Sequence, residues 1–408
     1  MGFLSSAIAE RKGMTSHDIW LQLYGGRKSS SGKTVNIETA TQVSAVFANL
    51  RLLGNGMAQV PLKLMQETAD GKKRQPAKNH PLYKLMAVKP NRWQTSFQWR
   101  QMMSWHVELC GNHYSFQSKL NGKVVELFPF LPNQVEEQDL SRGVYQYKVT
   151  LPNAEPVIIP AGDMLHIRGP SWDGHSGLDI LKAARDAIGL SIAAEESAGS
   201  LHKNGIQPSG VYTVDGKLTS QQHNDLQTWI SEHYSGPDNK GLPLILDRAA
   251  KWSSMQMTGV DAQALETRNH QIEEVCRFFG TMPIMVGYSD KTATYASAEQ
   301  MFLAHLVHAL APRWENIEQV LNAQLLTERE QEQGYYFDFI EEGMIRASAE
   351  VTQKVLLGYV NGGLMTPNEG RSKLDLNPMD DDDSDKLRIP ANITGSVQGV
   401  PTDNHPQG

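Results

Sequence analysis

The longest helical pattern in the chain, over about residues 298–326, constrains the fold more than any other feature. Large apolar residues recur along it at steps of three or four positions, so they share one face of an α-helix. They are Phe302, Leu306, Leu310, Trp314, Ile317, Leu321 and Leu325. A face of this length needs other elements to cover it, and hydrophobic residues make up 40% of the chain, enough for a sizeable core.

Pro312 lies inside this pattern. Its ring has no N–H to donate to the carbonyl of His308, so the sequence predicts a kink in the helix at this point. His305 and His308 are one turn apart, which is a spacing of metal ligands, but no acidic third ligand accompanies them. We interpret both as polar neighbours of the apolar face, and the sequence predicts no metal site and no cofactor.

Helical and strand patterns alternate before the long helix, which is typical of an α+β fold. The first helix is expected to stop at Gly54-Asn55-Gly56, and another, capped by Thr95, to end at Gly111. Asn121-Gly122 predicts a β-hairpin. Residues from about 60 to 168 should therefore form a unit rich in antiparallel strands.

Two further helices flank a compact insert. The first, over about residues 178–201, is rich in alanine, which lets a helix approach its neighbours closely. The insert, about residues 206–257, has the pattern of a strand, a helix and two strands, and the second helix spans about residues 262–279. Residues 266–271 of that helix are all polar, so they should face water or a polar partner.

The charge balance and the cysteines exclude several classes of protein. There are 38 basic and 45 acidic residues and no basic block, which argues against tight non-specific DNA binding by the monomer. Two cysteines, Cys110 and Cys276, cannot make a disulfide framework and indicate a reducing compartment. No apolar run reaches the roughly 18 residues that span a bilayer, and residues 1–12 lack the pattern of a signal peptide. We expect a cytosolic protein with no membrane partner.

One motif suggests a nucleotide-binding function. Gly32-Lys33-Thr34 resembles the end of a phosphate-binding loop, but five residues separate Gly26 from Gly32 where that loop has four. Three consecutive serines, residues 29–31, favour a flexible linker instead. A nucleotide- or nucleic-acid-processing α+β enzyme stays as an alternative, and it predicts nucleotide binding that Lys33→Ala abolishes. A third hypothesis is a monomeric adaptor that docks through the polar residues 266–271.

Short signatures in a fixed order give the chain a family resemblance from about Thr39 to Pro378. They are Ser44-Ala45-Val46-Phe47-Ala48, Val60-Pro61-Leu62-Lys63-Leu64, His80-Pro81-Leu82-Tyr83, Pro90-Asn91, Gly111-Asn112-His113-Tyr114, Asn121-Gly122-Lys123-Val124, Glu126-Leu127, Leu165-His166-Ile167, Asn204-Gly205, Pro208-Ser209-Gly210-Val211, Arg277-Phe278-Phe279-Gly280, Met282-Pro283, Leu310-Ala311-Pro312 and Thr366-Pro367-Asn368-Glu369. On this series the chain resembles the portal proteins of long-tailed double-stranded DNA phages whose capsid shells share the chainmail-forming fold. The family pattern after Pro283 is kept only loosely, and the stretch before Thr34 does not match.

The resemblance implies a non-enzymatic homo-oligomeric ring, expected to have twelve subunits, at one vertex of a capsid. Such a ring belongs to the virion and is assembled in the host cytoplasm. It nucleates the procapsid together with the major capsid protein and docks the large subunit of terminase. Double-stranded DNA passes through it during packaging and ejection, and a head–tail connector binds it later.

The resemblance also implies an order of domains. Residues 1–37 would be a flexible N-terminal segment and residues 377–408 a disordered acidic tail. Between them would lie a wing (38–176), a first stem helix (177–205), a clip (206–257), a second stem helix (258–280), a tunnel loop (281–297), the long kinked wing helix with a strand (298–340) and a helical crown (341–376).

Two sets of site residues follow from this order. The residues expected to face DNA in the tunnel loop are Asp290, Lys291, Thr292, Ala293, Thr294 and Tyr295. Those expected to face terminase and the connector from the clip are Asp225, Trp229, Glu232, Lys240 and Arg248. Charge favours a channel, because each phosphate that a cation neutralises adds a salt-dependent grip on DNA. Twelve copies of a chain with charge −7 carry −84, which repels a duplex from the wall.

Overall fold

The structure is a computed structural model, and it describes residues 27–68, 74–141, 144–152, 154–204, 211–213, 219–221, 224–225, 228, 251–253, 260–288, 295–340, 349–374, 376–381 and 383–388. The chain divides into two compact units, Met1–Phe339 and Ile340–Gly408. Helices and antiparallel sheets both build the described part, which confirms the predicted α+β class.

The first unit contains all thirteen described strands and most of the described helices. The strands are β1 (Arg27–Lys28), β2 (Thr34–Val35), β3 (Leu62–Glu67), β4 (Arg74–Pro76), β5 (Asn112–Leu120), β6 (Lys123–Phe130), β7 (Val135–Ser141), β8 (Val144–Val149), β9 (Val157–Pro160), β10 (Met164–Arg168), β11 (Val211–Thr213), β12 (Lys251–Ser253) and β13 (Tyr335–Phe339). The helices are α1 (Ile37–Gln42), α2 (Ser44–Gln59), α3 (Pro81–Ala87), α4 (Ser96–Cys110), α5 (Ile180–Ala183), α6 (Arg185–Asn204), α7 (Val260–Phe279), α8 (Tyr295–His305), α9 (Ala311–Leu325) and α10 (Glu328–Glu332). A π-helical segment, Leu306–Leu310, joins α8 to α9.

Two three-stranded sheets enclose the core of the predicted antiparallel unit. In one sheet β5 lies between β10 and β6, and in the other β8 lies between β7 and β9. Aromatic and aliphatic side chains from both sheets are buried together. They are Tyr114, Phe128, Phe130, Tyr147, Val149, Leu151, Ile159 and Met164. A third sheet places β3 between β13 and β4, so the strand after the long helix returns to the strand after α2.

Local sequence signals set the ends of several elements as predicted. Thr95 makes a capping box at the start of α4, and Gly111 ends that helix at a φ of 77°. Asn121 and Gly122, at φ values of 52° and 76°, close the β5–β6 hairpin, the conformation for which this pair is favoured.

The predicted end of the first helix at Gly54-Asn55-Gly56 is wrong, because α2 continues to Gln59. Both glycines are buried inside the helix. A β-carbon on Gly54 would lie 2.4 Å from Trp105 Nε1, and one on Gly56 would lie 2.7 Å from Leu310 Cδ2. The glycines therefore serve close packing of α2 against α4 and the long helix rather than termination.

The predicted linker at residues 29–32 is also wrong, because these residues form the turn of the β1–β2 hairpin. The Ser29 hydroxyl donates to the Lys33 carbonyl at 3.0 Å and accepts from the Lys33 N–H at 3.2 Å. The Ser30 N–H donates to Asp186 Oδ1 at 2.8 Å, which ties the turn to α6. Residues 27–37 of the segment expected to be flexible are thus part of the folded unit, because serine hydroxyls can close a turn.

The second unit is described by α11 (Ala349–Asn361), α12 (Pro367–Lys373) and the residues that follow. Asn368 Nδ2 donates to the Met379 carbonyl at 3.0 Å and to Asp385 Oδ1 at 2.8 Å. The Met379 N–H donates back to Asn368 Oδ1 at 2.7 Å. Residues 376–381 and 383–388 therefore fold onto α12, and the prediction of a disordered tail is wrong for this part, because one buried amide organises it.

Candidate functional site

The structure locates the ends of the predicted tunnel loop but not its centre. Asp290 to Thr294 lie outside the described residues, and Tyr295 is the first residue of α8. In the predicted clip, β11 pairs with β12, and Asp225 is exposed in a helical stretch. Trp229, Glu232, Lys240 and Arg248 also lie outside the described residues. The roles assigned to both sets stay predictions.

A buried asparagine fixes the start of the segment that follows α7. Asn49 on α2 has no exposed surface, and its Nδ2 donates to the Ala45 carbonyl at 2.8 Å. The Thr281 hydroxyl donates to Asn49 Oδ1, while the Thr281 N–H donates to the Cys276 carbonyl at 3.0 Å. The chain leaving α7 is therefore fixed to the core before the turn at Gly287, whose φ is 85°.

An arginine connects three elements at the same place. Arg313 on α9 makes a two-pronged pair with Glu108 on α4, with Nε to Oε1 at 2.6 Å and Nη2 to Oε2 at 3.0 Å. Arg313 Nη2 also donates to the carbonyl of Phe279, the last residue of α7, at 2.9 Å. Its Nη1 donates to the Ala309 carbonyl at 2.6 Å. A cation at a helix C-terminus satisfies a free carbonyl and favours the helix dipole, so Arg313 fixes the end of α7.

Pro312 is the second residue of α9, separated from the π-helical segment by one residue. The Ala311 N–H bonds to the Leu306 carbonyl, five residues earlier, so the backbone register changes just before the proline. This wider turn is a physical way to place a residue that has no N–H within a long helix. The predicted kink angle itself stays a prediction.

The two histidines of this region differ in their surroundings. His305 is 4% exposed, and burial followed by the charge of Arg313 lowers its pKa. His308, one turn away, is exposed. No group of three or more potential metal ligands occurs within the residues that the structure describes.

A cavity of about 460 Å³ lies beside the Arg313–Glu108 pair. Most of its wall is apolar. It is partly open to solvent and is lined by residues from α2, α4, β10, α5, the end of α7 and α9. Its apolar lining includes Met57, Met103, Val107, Phe279, Pro312 and Ile317. Loosely packed space of this kind next to a helix irregularity is where a small rearrangement costs least.

A second polar cluster, missed by the sequence analysis, joins the two core sheets around His166. This side chain is 1% exposed, its Nε2 donates to Asn112 Oδ1 at 2.9 Å, and the Tyr147 hydroxyl donates to its Nδ1 at 3.1 Å. Burial, followed by the charge of Arg168, lowers the pKa of His166 to about 3. The Glu137 carboxylate, 3.5 Å from Nε2, favours the charged form but does not outweigh burial. A neutral histidine with both ring nitrogens hydrogen-bonded stabilises the packing of the two sheets rather than performing acid–base chemistry.

Solved structures share the fold of this chain. The neck of an empty GTA particle aligns with a TM-score of 0.59 at 22% identity, covering 84% of this chain and 93% of that chain. A portal protein of an HK97-family phage from Corynebacterium diphtheriae aligns with a TM-score of 0.52 at 14% identity, covering 78% of this chain and 99% of that one. This chain therefore has the same fold as a solved phage portal protein.

Sequence comparison shows the family as well. Residues 44–375 match the phage portal protein family. The portal protein of Enterobacteria phage HK97 is 27% identical over 290 residues, which are 69% of this chain and 68% of the relative. The probable portal protein of Streptomyces phage phiC31 is 28% identical over 383 residues, 90% of this chain and 82% of the relative. The chain belongs to the phage portal protein family, as its signatures predict.

None of the described helices is both long enough and apolar enough to cross a membrane.

Proposed function

We propose that twelve copies of this chain form a closed ring at one vertex of a phage capsid, and that double-stranded DNA passes through the ring during packaging and ejection. The family match over residues 44–375 carries the proposal. Ring number is supported by a neck of the native GTA particle, computed with C12 symmetry, which has the same fold at 20% identity and a TM-score of 0.55. Another similar structure is the virion of the native gene transfer agent, which supports a place in the virion.

The geometry of the loop ends supports a role beside moving DNA. The described residues on either side of positions 289–294 have defined places: Thr281 donates to Asn49, Pro283–Val286 form a helical turn, and α8 begins at Tyr295. Arg313 joins the end of α7 to α4 and the π-helical segment, so these elements would resist a force exerted on the loop. A loop with Thr, Ala and Ser beside a single Asp290–Lys291 pair can touch phosphates without a strong salt-dependent grip.

The two long helices next to the insert support the stem and clip assignments. α6 and α7 pack against each other and flank residues 206–257, where β11 and β12 pair. We assign this insert to the docking of terminase and later of the connector, because it lies in the sequence between two helices that pack against each other. The procapsid-nucleating role and the contact with the major capsid protein belong to the same proposal.

The alternative of a nucleotide-processing enzyme gains nothing from the structure. Residues 29–32 close a hairpin between antiparallel strands, whereas a phosphate-binding loop joins a strand to the N-terminus of a helix. The Lys33 ammonium is paired with Glu196 instead of reaching into a phosphate cradle.

Removal of Thr292 to Thr294 tests the DNA-conducting role in the phage that encodes the chain. We expect rings of unchanged size, because the loop ends are held elsewhere, and capsids that package or retain much less DNA. The matched control replaces Thr292 and Thr294 by serine, which keeps the length and polarity of the loop. Nuclease-protected DNA per capsid is the measurement, and equal amounts in the deletion and the serine control would overturn the loop assignment.

A further inference from the structure

The second unit has no hydrophobic core of its own among the residues that the structure describes in it. No hydrophobic side chain is buried there, whereas eight large ones are exposed. They are Val355, Leu357, Tyr359, Leu364, Leu374, Leu376, Met379 and Leu387. A unit of this size that lacks a core needs disulfides, a metal or a partner surface to be stable. The chain's two cysteines lie outside this unit, and its described residues hold no cluster of metal ligands, so for these residues we look to a partner surface.

One apolar surface of this unit is a groove. α11 contributes one helix face to it, and α12 with the segment that follows contributes the other side, enclosing about 650 Å³. Its apolar lining consists of Leu356, Leu357, Val360, Pro367, Leu374, Leu376 and Met379. Gly370 lets the two helices approach, because a β-carbon there would lie 3.2 Å from Val360 Cγ2. Gln353 and Arg371 are the polar members of the lining.

The other apolar surface is a ridge on a different side of α11. Val355 and Tyr359 are four residues apart, so they share one face, and they are 44% and 45% exposed. At about 100° per residue, this face lies roughly 130° around the helix from the face that lines the groove. Neither ridge residue lines the groove. The unit thus carries two apolar surfaces formed by different residues, the groove and the exposed ridge of Val355 and Tyr359.

Such a pair is what a head-to-tail ring requires. An isologous dimer needs one self-complementary patch, whereas a closed ring needs two unlike patches that fit each other on neighbouring copies. We propose that the ridge formed by Val355 and Tyr359 of one copy lies in the groove of the next copy around the ring. This inference rests on the proposed function, since it identifies the neighbouring subunit as the partner of the second unit.

Cysteine cross-linking of the full chain tests the pairing. The double variant Tyr359→Cys/Leu374→Cys places one thiol on the ridge and one in the groove. After oxidation we expect a denaturing, non-reducing gel to show a ladder that continues beyond the dimer, because each copy is linked to two neighbours. Each single variant should give no cross-linked species larger than a dimer on the same gel. These variants also show any cross-linking through Cys110 and Cys276.

The control for the effect of a surface charge compares two exposed valines, one on the ridge and one in the first unit. Val355→Asp should reduce ring formation in sedimentation experiments, whereas Val88→Asp, at a position 59% exposed in the first unit, should not. Rings by electron microscopy together with no ladder beyond the single variants would overturn the pairing and leave the proposed function intact. A monomeric intramolecular disulfide would also overturn it, because the ridge would then lie on its own groove. If the unaltered protein forms no rings, both the inference and the proposed function fail.

Discussion

The ion pair between Arg313 and Glu108 gives a quantitative prediction for the stability of the helices beside the predicted tunnel loop. The Glu108 side chain is 6% exposed and that of Arg313 is 26% exposed. Arg313→Met keeps much of the side-chain volume but leaves a buried carboxylate without its cation, and it removes the arginine donors to the carbonyls of Phe279 and Ala309. Breaking a buried pair by removing one partner costs about 3–5 kcal/mol. Because Arg313 is partly exposed, we expect the lower end, about 3 kcal/mol, in the free energy of unfolding.

The double variant Glu108→Leu/Arg313→Met separates the pair from simple loss of packing. It removes both charges, so it should be more stable than Arg313→Met alone, with a coupling free energy of at least about 1.5 kcal/mol. Urea unfolding at pH 7, followed by tryptophan fluorescence, measures this quantity. Two protein concentrations reveal any contribution from dissociation of the ring, since only that step depends on concentration. A loss below about 1 kcal/mol for Arg313→Met, or strict additivity of the two single variants, would refute the reasoning.

Two further predictions concern the stability of the first unit. Gly177→Ala should destabilise it by about 1–3 kcal/mol, because the new β-carbon would lie 1.9 Å from the Gly111 carbonyl oxygen, a backbone atom that cannot give way cheaply; thermal unfolding measures the loss. His166 should make stability depend on pH, because its folded pKa of about 3 is below the unfolded value of 6.5, so the unfolded chain binds the proton first. Its contribution is complete above pH 6.5 and is lost as the pH falls toward 3, by about 1.4 kcal/mol per pH unit.

Each of these predictions has its own control. Gly162→Ala should change stability by less than about 0.5 kcal/mol, because a β-carbon there meets nothing within 4 Å. A loss as large at Gly162 as at Gly177 would contradict the steric argument. His166→Asn should lose about 2 kcal/mol less than the unaltered protein between pH 7 and pH 5 in urea unfolding. Equal losses for the two proteins would show that His166 does not remain neutral in the fold.

Sequence signals that act over a few residues predicted the corresponding structure well. Thr95 and Gly111 bound α4 because a cap depends on the residues beside it. The Asn121-Gly122 turn and the buried apolar face of α9 have the same local origin. Phe302, at the other end of the predicted face, is 40% exposed and is not part of the core. The order of signatures likewise sufficed for the family, because it spans most of the chain.

Features that depend on distant residues could not be predicted in the same way. Glycines 54 and 56 have the local pattern of a helix end, but their packing partners Trp105 and Leu310 are far away in the chain. The residues of β7, Val135–Ser141, are mostly polar and do not have the pattern of a strand, and only pairing with β8 makes them one. The Arg313–Glu108 pair joins residues separated by 205 positions, and no spacing rule marks it.

The mass and symmetry of the purified protein test the central claim most directly. Twelve copies of a 45.4 kDa chain amount to about 545 kDa, and end-on cryo-electron microscopy images should show a closed ring with a central hole. Native mass spectrometry of the same sample gives the subunit number independently. A single species near 45 kDa at high protein concentration, with no rings in the images, would contradict the account.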